Sequence, residues 1–182
     1  MRGSAIEEIR VLQAQEFRRL MSLFPTGVTV VSTFGEEGPA GMTVNALASL
    51  SLDPILVMVG FDLASRTFRA VQQSGRFGVS FLSQDQQEVS GRFATKLPEA
   101  EKFGVVAHHL RLGVPILDRA TAWLVCDVER LHPGGDHVIG VGRVVSMGRN
   151  GADPDPLVFY RGGYATLNGN GSAASGRTGD RG

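Results

Sequence analysis

Four groups of polar residues stand where a largely apolar chain has little obvious use for them. Thr43 and Asn45 lie two apart, as do Ser49 and Ser51, within residues 41–54. On strands, that spacing lets each pair project from one face. The segment is apolar enough to be buried, and a buried hydroxyl or amide without a partner costs about 1–3 kcal/mol. Either the backbone of a sheet corner supplies the partners, or a flat ligand with polar edges does. Further on, Ser65 is placed as a helix N-cap, with Arg66 and Thr67 in the first turn. Two hydroxyls, a guanidinium and the free backbone donors of a helix N-terminus compose an anion site. The alternative is a well-capped helix carrying a solvated arginine. Thr26-Gly27 follows Pro25, and Gly27 either lets the chain leave a helix sharply or lets a ring approach the backbone. His137 follows a tight Gly134-Gly135-Asp136 turn, which carries its ring to the rim of a sheet or simply to the surface.

These residues are positioned by elements that the hydrophobic pattern predicts. Phe17, Leu20, Met21 and Phe24 recur at three- and four-residue spacing, predicting an amphipathic helix over 13–24 that Pro25 stops. A strand over 28–34 turns at Gly35-Glu36-Glu37-Gly38 into the polar segment, which reads as strand, corner and strand. Asp53-Pro54 predicts an extended junction to a buried strand over 55–61. Strands over 77–82, 120–131 and 137–147 follow the Ser65 helix, with Leu124, Cys126 and Val128 on one face. Gly140 and Gly142 thin the last of these, as at a close backbone approach. Ser83-Gln84-Asp85-Gln86 fits a capping box opening a helix towards Phe93, and Pro98 opens a short acidic helix. His108 and His109 are adjacent, so on a strand they face opposite ways and read as structural. Strands dominate, no βαβ periodicity appears, and neither G-x-G-x-x-G nor a Walker loop occurs. The expectation is a mainly β, antiparallel barrel with a few inserted helices.

Composition narrows the function classes. The chain has 182 residues, suited to one domain over 13–167, between a flexible N-terminus at 1–12 and a disordered Gly/Ser-rich tail at 168–182. Net charge is zero and no basic stripe carries interleaved aromatics, which argues against nucleic acid as a partner. Four histidines lack ligand spacing, so no metal site is expected. The single cysteine, Cys126, fits a reducing cytoplasm and reads as a buried small hydrophobe. The apolar run over 55–61 is far too short to span a bilayer, and no membrane partner is expected.

The segment Phe24-Pro25-Thr26-Gly27-Val28-Thr29-Val30-Val31, the polar stretch over 43–54, and Gly135-Asp136-His137 running on to Gly142-Arg143-Val144 resemble the short-chain flavin reductases. Gly162-Gly163-Tyr164 also fits, and the resemblance extends over about residues 15–166. These enzymes supply reduced flavin to two-component flavin-dependent monooxygenases. The resemblance implies an FMN-binding split barrel of Greek-key type, in which flavin and NADH share one cleft. It places Thr26, Gly27, Thr43, Val44, Asn45 and Ala46 along the isoalloxazine ring, and Ser49, Leu50 and Ser51 along the ring edge and ribityl chain. Ser65, Arg66 and Thr67 would meet phosphate, and His137 would be the catalytic-side residue beside the nicotinamide. Tyr160, Arg161, Gly163 and Tyr164 would help to close that side. Arg92-Phe93 would meet the adenylate half of FAD, a core phenylalanine beside a solvated arginine being the alternative. Hydride would pass from NADH to FAD or FMN, with NADH favoured because no extra basic cluster awaits a 2′-phosphate. A homodimer is implied, together with a separate monooxygenase in aromatic catabolism or antibiotic biosynthesis. Barrels of the same type also bind flavin without reducing it, or oxidise pyridoxamine phosphate.

Overall fold

The computed structural model describes residues 13–150 and 154–167, so the expected loose N-terminus and tail lie outside the described residues. Helix α1 (Ala14–Met21) leads into a short strand β1 (Thr26–Gly27) and then into β2 (Thr29–Gly35) and β3 (Gly38–Val44). Two corner residues separate β3 from β4 (Leu47–Leu52), which pairs with β5 (Ile55–Asp62). Helix α2 (Arg66–Ser74) precedes β6 (Arg76–Phe81), and α3 (Gln87–Phe93), α4 (Glu99–Phe103) and the hairpin β7 (His108–Arg111)–β8 (Val114–Leu117) follow. The long strands β9 (Ala122–Gly134) and β10 (His137–Arg149) and the short β11 (Val158–Tyr160) and β12 (Gly163–Ala165) complete the fold.

Seven strands form one antiparallel sheet in the order β3-β2-β6-β9-β10-β5-β4. Its two edges, β3 and β4, are consecutive in the chain and joined only by Asn45 and Ala46. The sheet therefore curls until its edges meet at that corner, where Gly60 N–H donates to the Ala46 carbonyl at 2.9 Å. No ladder joins β3 to β4, which leaves the expected barrel split along this line. From β5 the chain crosses through α2 to lay β6 beside β2, the long return of a Greek-key connection.

The core shows why those residues form those strands. Val57, Val59 and Phe61 alternate inward along β5, and Phe61 packs at 5.6 Å from Phe68 of α2 and at 5.7 Å, edge-on, from Phe77 of β6. The strand is thus half-buried rather than wholly buried, because Met58 on the opposite face and Ile55 at the strand end are exposed. Gly140 and Gly142 of β10 make room for these rings: a Cβ on Gly142 would lie 2.4 Å from Phe77 Cζ, and one on Gly140 would lie 2.5 Å from Phe61 Cε2. Asp53-Pro54 is a tight hairpin turn with a cis peptide bond, not an extended junction. A register shift between Ser49 and Ser51 interrupts the alternation that would have put both on one face. The Ser83 turn is half a capping box: Gln86 Oε1 accepts from Ser83 N–H at 3.0 Å, and the helix starts only at Gln87.

Helix α1 buries none of its own residues, and Phe17, Leu20 and Phe24 are more than 60% exposed. Its amphipathic face meets a cavity instead of a core. Gly142→Ala should overpack Phe77 and lower stability by about 1–3 kcal/mol. Urea denaturation followed by circular dichroism would read the shift, and adding Phe77→Leu should recover part of it.

Candidate functional site

The barrel corner separates two spaces. On the helix side lies a polar cleft of about 460 Å³, bounded by β3, the N-terminus of α2 and the α3–α4 connection. Thr43, Val44, Asn45, Ala46, Ser65, Arg66, Thr67, Phe93 and His137 line it, bringing together half of the residues singled out in the sequence. Ser65 caps α2 as expected, its hydroxyl oxygen accepting from the N–H groups of Thr67 at 3.1 Å and Phe68 at 3.4 Å. Phe68 and Val71 anchor the helix in the core, and Gly75 ends it at φ 68°. The helix N-terminus is therefore fixed beside the corner.

Arg66 does not reach freely into the cleft. Its Nη2 donates to the carbonyls of Lys96, at 3.1 Å, and Leu97, and stands 3.4 Å from Glu99 Oε1. Glu99 Oε1 also accepts from Lys102 Nζ at 3.1 Å, and its Oε2 accepts from Gly41 N–H at 3.0 Å. Lys102 donates in turn to the Gly41 carbonyl at 3.2 Å and is only 3% exposed. This buried pair fastens α4 to β3. Lys96 and Glu99 were not legible as site residues; Lys102 lies in the acidic helix that the sequence marked.

On the other side of the corner is an apolar cavity of about 1020 Å³. Phe17 and Met21 of α1, Phe24, Met58, Ile139 and Phe159 form its walls, with Thr26 and Gly27 on its floor. The Thr26 hydroxyl is buried there without a hydrogen-bond partner, an unmet polar group in an apolar wall. A Cβ on Gly27 would meet open space, so the glycine leaves the backbone accessible. Asn45, Ala46 and Gly60 border both spaces.

The remaining expected residues lie apart. Ser49, Leu50 and Ser51 sit on the edge strand and line neither space, Ser51 Oγ accepting from Asp53 N–H at 3.2 Å. Tyr160, Gly163 and Tyr164 belong to the small β1-β11-β12 sheet and Arg161 to its β11–β12 turn; Thr26, Gly27 and Phe159 of this sheet line the apolar cavity. Tyr164 hydroxyl is bound to Ser90 Oγ at 2.9 Å, and Arg161 lies 5.2 Å over the Tyr160 ring. Phe93 is 1% exposed and stands edge-on to Phe103 at 5.0 Å, so it walls the cleft without offering a face for stacking. Thr43 Oγ1 donates to the Ser90 carbonyl at 2.7 Å, which satisfies it within the protein. His137 is half-exposed at the cleft rim, its Nδ1 2.8 Å from Asp136 Oδ1. That hydrogen bond holds the Asp136 carboxyl below its ordinary range. Cys126 is inert by comparison, since burial pushes its thiol up to about 12.

Residues 21–168 match the model of the flavin reductase like domain. The chain is 39% identical over 158 residues to the reductase subunit HsaB of a flavin-dependent monooxygenase from Mycobacterium tuberculosis, covering 86% of this chain and 83% of that one. It is 39% identical over 153 residues to an NADH-dependent flavin reductase of a Rhodococcus species, covering 82% and 84%. Among solved structures it is similar to the NADH:FAD oxidoreductase SgcE6 of Streptomyces globisporus, in complex with NAD and FAD fragments. The TM-score is 0.80 at 31% identity, covering 90% of this chain and 99% of that one.

Ser65 offers a direct test of the cleft. Ser65→Ala should cost about 0.5–2 kcal/mol through loss of the cap. Ser65→Asp should retain the cap, and with it most of the urea midpoint, while its carboxylate repels a phosphorylated ligand. Fluorescence titration with FMN should then show binding weakened at least tenfold in a protein of near-normal stability.

Proposed function

The chain belongs to the flavin reductase-like family, and from that premise we propose that it is an NADH-dependent flavin reductase supplying reduced FAD or FMN to a separate monooxygenase. The observation that carries this reading is that Asn45, Ala46 and Gly60 border both an apolar cavity and a polar, helix-capped cleft. A flavin has the matching halves, a flat ring with polar edges and a phosphorylated chain. The orphaned Thr26 hydroxyl and the bare backbone at Gly27 fit the ring, and the α2 N-terminus fits phosphate. Thr26, Gly27, Val44, Asn45 and Ala46 would hold the ring, and Ser65, Arg66 and Thr67 the phosphate. A bound flavin supplies a ring that accepts hydride from nicotinamide.

The chain's own contribution is positioning and exclusion of water. The walls of the apolar cavity would keep the ring's surroundings dry, with Val44 on the cleft side, while Asn45, exposed at the corner, is free to hydrogen-bond a polar ring edge. His137 stands at the rim with its orientation fixed by Asp136, placed to hold the carboxamide of the nicotinamide. No proton need move at this position. The small sheet carrying Tyr160, Arg161, Gly163 and Tyr164 would close the cavity's outer side.

A homodimer is part of the proposal. Leu50, Leu52 and Ile55 are exposed at the β4–β5 hairpin, Leu52 by 89%, and Met58 and Ile139 continue the apolar surface onto the sheet's outer face. An unpaired apolar edge of this kind favours burial against another surface. Ser49, Leu50 and Ser51 would then approach flavin from the subunit boundary. Because NADH is the donor, we place the protein in the cytoplasm.

Mixing the protein with NADH and FMN or FAD and following absorbance at 340 nm tests the activity; bound flavin that NADH leaves oxidised would mark a binding protein only. His137→Ala should leave flavin affinity nearly intact but raise the KM for NADH and slow reduction. One orienting hydrogen bond is worth about 1–2 kcal/mol, or roughly 5- to 30-fold. Size-exclusion chromatography at micromolar concentration should give a dimer. A monomer that still reduces flavin would overturn the dimer.

A further inference from the structure

The phosphate end of the cleft contains a carboxylate, which an anion site has no evident reason to include. Glu99 is half-buried there and binds three groups: Gly41 N–H at 3.0 Å, Lys102 Nζ at 3.1 Å and Arg66 Nη2 at 3.4 Å. The arginine placed to meet phosphate is thereby turned towards the α3–α4 connection, where the Lys96 and Leu97 carbonyls also hold it. Lys102, being buried, cannot turn to a ligand without leaving Gly41 and Glu99. Two cations at the cleft are thus shared by one carboxylate.

Resting on the flavin reading above, we infer that Glu99 is a positioning residue that tethers Arg66 away from the flavin phosphate and so holds flavin affinity down. An incoming phosphate must compete with Glu99 for Arg66, and it also meets the negative charge of Glu99 across a partly desolvated cleft. Both effects oppose phosphate binding, and neither acts on the ring. A reductase that hands its product to another enzyme gains from this arrangement, because binding energy held uniformly through the cycle would slow flavin release without speeding hydride transfer. The phosphate contact is the part of a flavin that does not change on reduction. Weakening it speeds release of both redox forms and leaves the ring's environment unaltered.

The test compares FMN with riboflavin, which lacks the phosphate. In Glu99→Gln the amide keeps its acceptor towards Gly41 N–H or Lys102 but loses the charge. We expect FMN to bind about tenfold more tightly, as the loss of one like charge at close range in a partly screened cleft predicts, while riboflavin affinity stays within about twofold of wild type. Arg66→Ala in the Glu99→Gln chain should remove most of the gain. If buried Lys102 without its counter-ion prevents folding, Glu99→Gln with Lys102→Met removes both charges of the pair. That double variant removes the same carboxylate from beside Arg66 and should still raise FMN affinity relative to riboflavin. Thermal unfolding confirms which variants are folded. An unchanged ratio of riboflavin to FMN dissociation constants in the folded variant overturns the inference, as does parallel weakening of both ligands, which would make Glu99 a strut between α4 and β3. Failure of the wild-type chain to bind any flavin would instead overturn the functional reading itself.

Discussion

Closure of the barrel at a two-residue corner governs the rest of the molecule. Because β3 and β4 are opposite edges of one sheet and neighbours in sequence, Asn45 and Ala46 must span the line where the sheet meets itself. The chain turns there without folding back as a hairpin, so no ladder joins the two edges, and the Ala46 carbonyl instead accepts from Gly60 N–H of β5. The unpaired line is where both ligand spaces open. Gly60 is part of the same constraint: a Cβ there would lie 3.0 Å from Ala46 Cβ, pressing on the corner. Structure that closes the barrel and structure that admits a ligand are therefore the same few atoms.

The interior explains why the corner stays in place. Phe61, Phe68 and Phe77 meet near the middle of the barrel, and the glycines of β10 lie directly under two of them. Phe68 belongs to α2, so the packing that fills the barrel also sets the height of the helix N-terminus against the corner. The parts of the site proposed for ring and phosphate are linked through one aromatic cluster. A second cluster, with Phe93 and Phe103 under Gly41, fixes α3 and α4 against the same strand from the other side. No functional side chain has to be held by a long loop.

What the sequence made legible follows from how local each signal is. The strand-corner-strand reading of residues 41–54 survived because turns, strand alternation and the polar spacing are all short-range. The Ser65 cap was visible for the same reason, since a cap depends on residues two and three positions on. Phe93 and Arg66 were ambiguous, because residue type does not reveal whether an aromatic faces ligand or core, or which carbonyls a guanidinium finds thirty residues away. The Glu99–Lys102–Gly41 link joins positions 58 and 61 residues apart, and no pattern within α4 announces it. The Ser49–Ser51 pair failed as a face-sharing motif because a bulge shifts the register between them, and bulges leave little mark in composition. Helix α1 was correct in type, yet its apolar stripe faces a cavity rather than a core, a distinction periodicity cannot make.

The contrast between the two spaces bears on how such a site can bind and release one molecule repeatedly. The apolar cavity offers area, and burial of apolar area presents no charge for salt to screen. The polar cleft offers charge, and its charges are already engaged with one another through Glu99, Arg66 and Lys102. A flavin placed as proposed would gain most of its binding from shape and dryness around the ring, and would exchange ion pairs at the phosphate end for a smaller net return. Tight retention would need the opposite arrangement, with free cations aimed at phosphate. On the proposed reading, the internal pairing of charge in the cleft, more than the cavity's size, is what would let flavin serve here as a passing substrate.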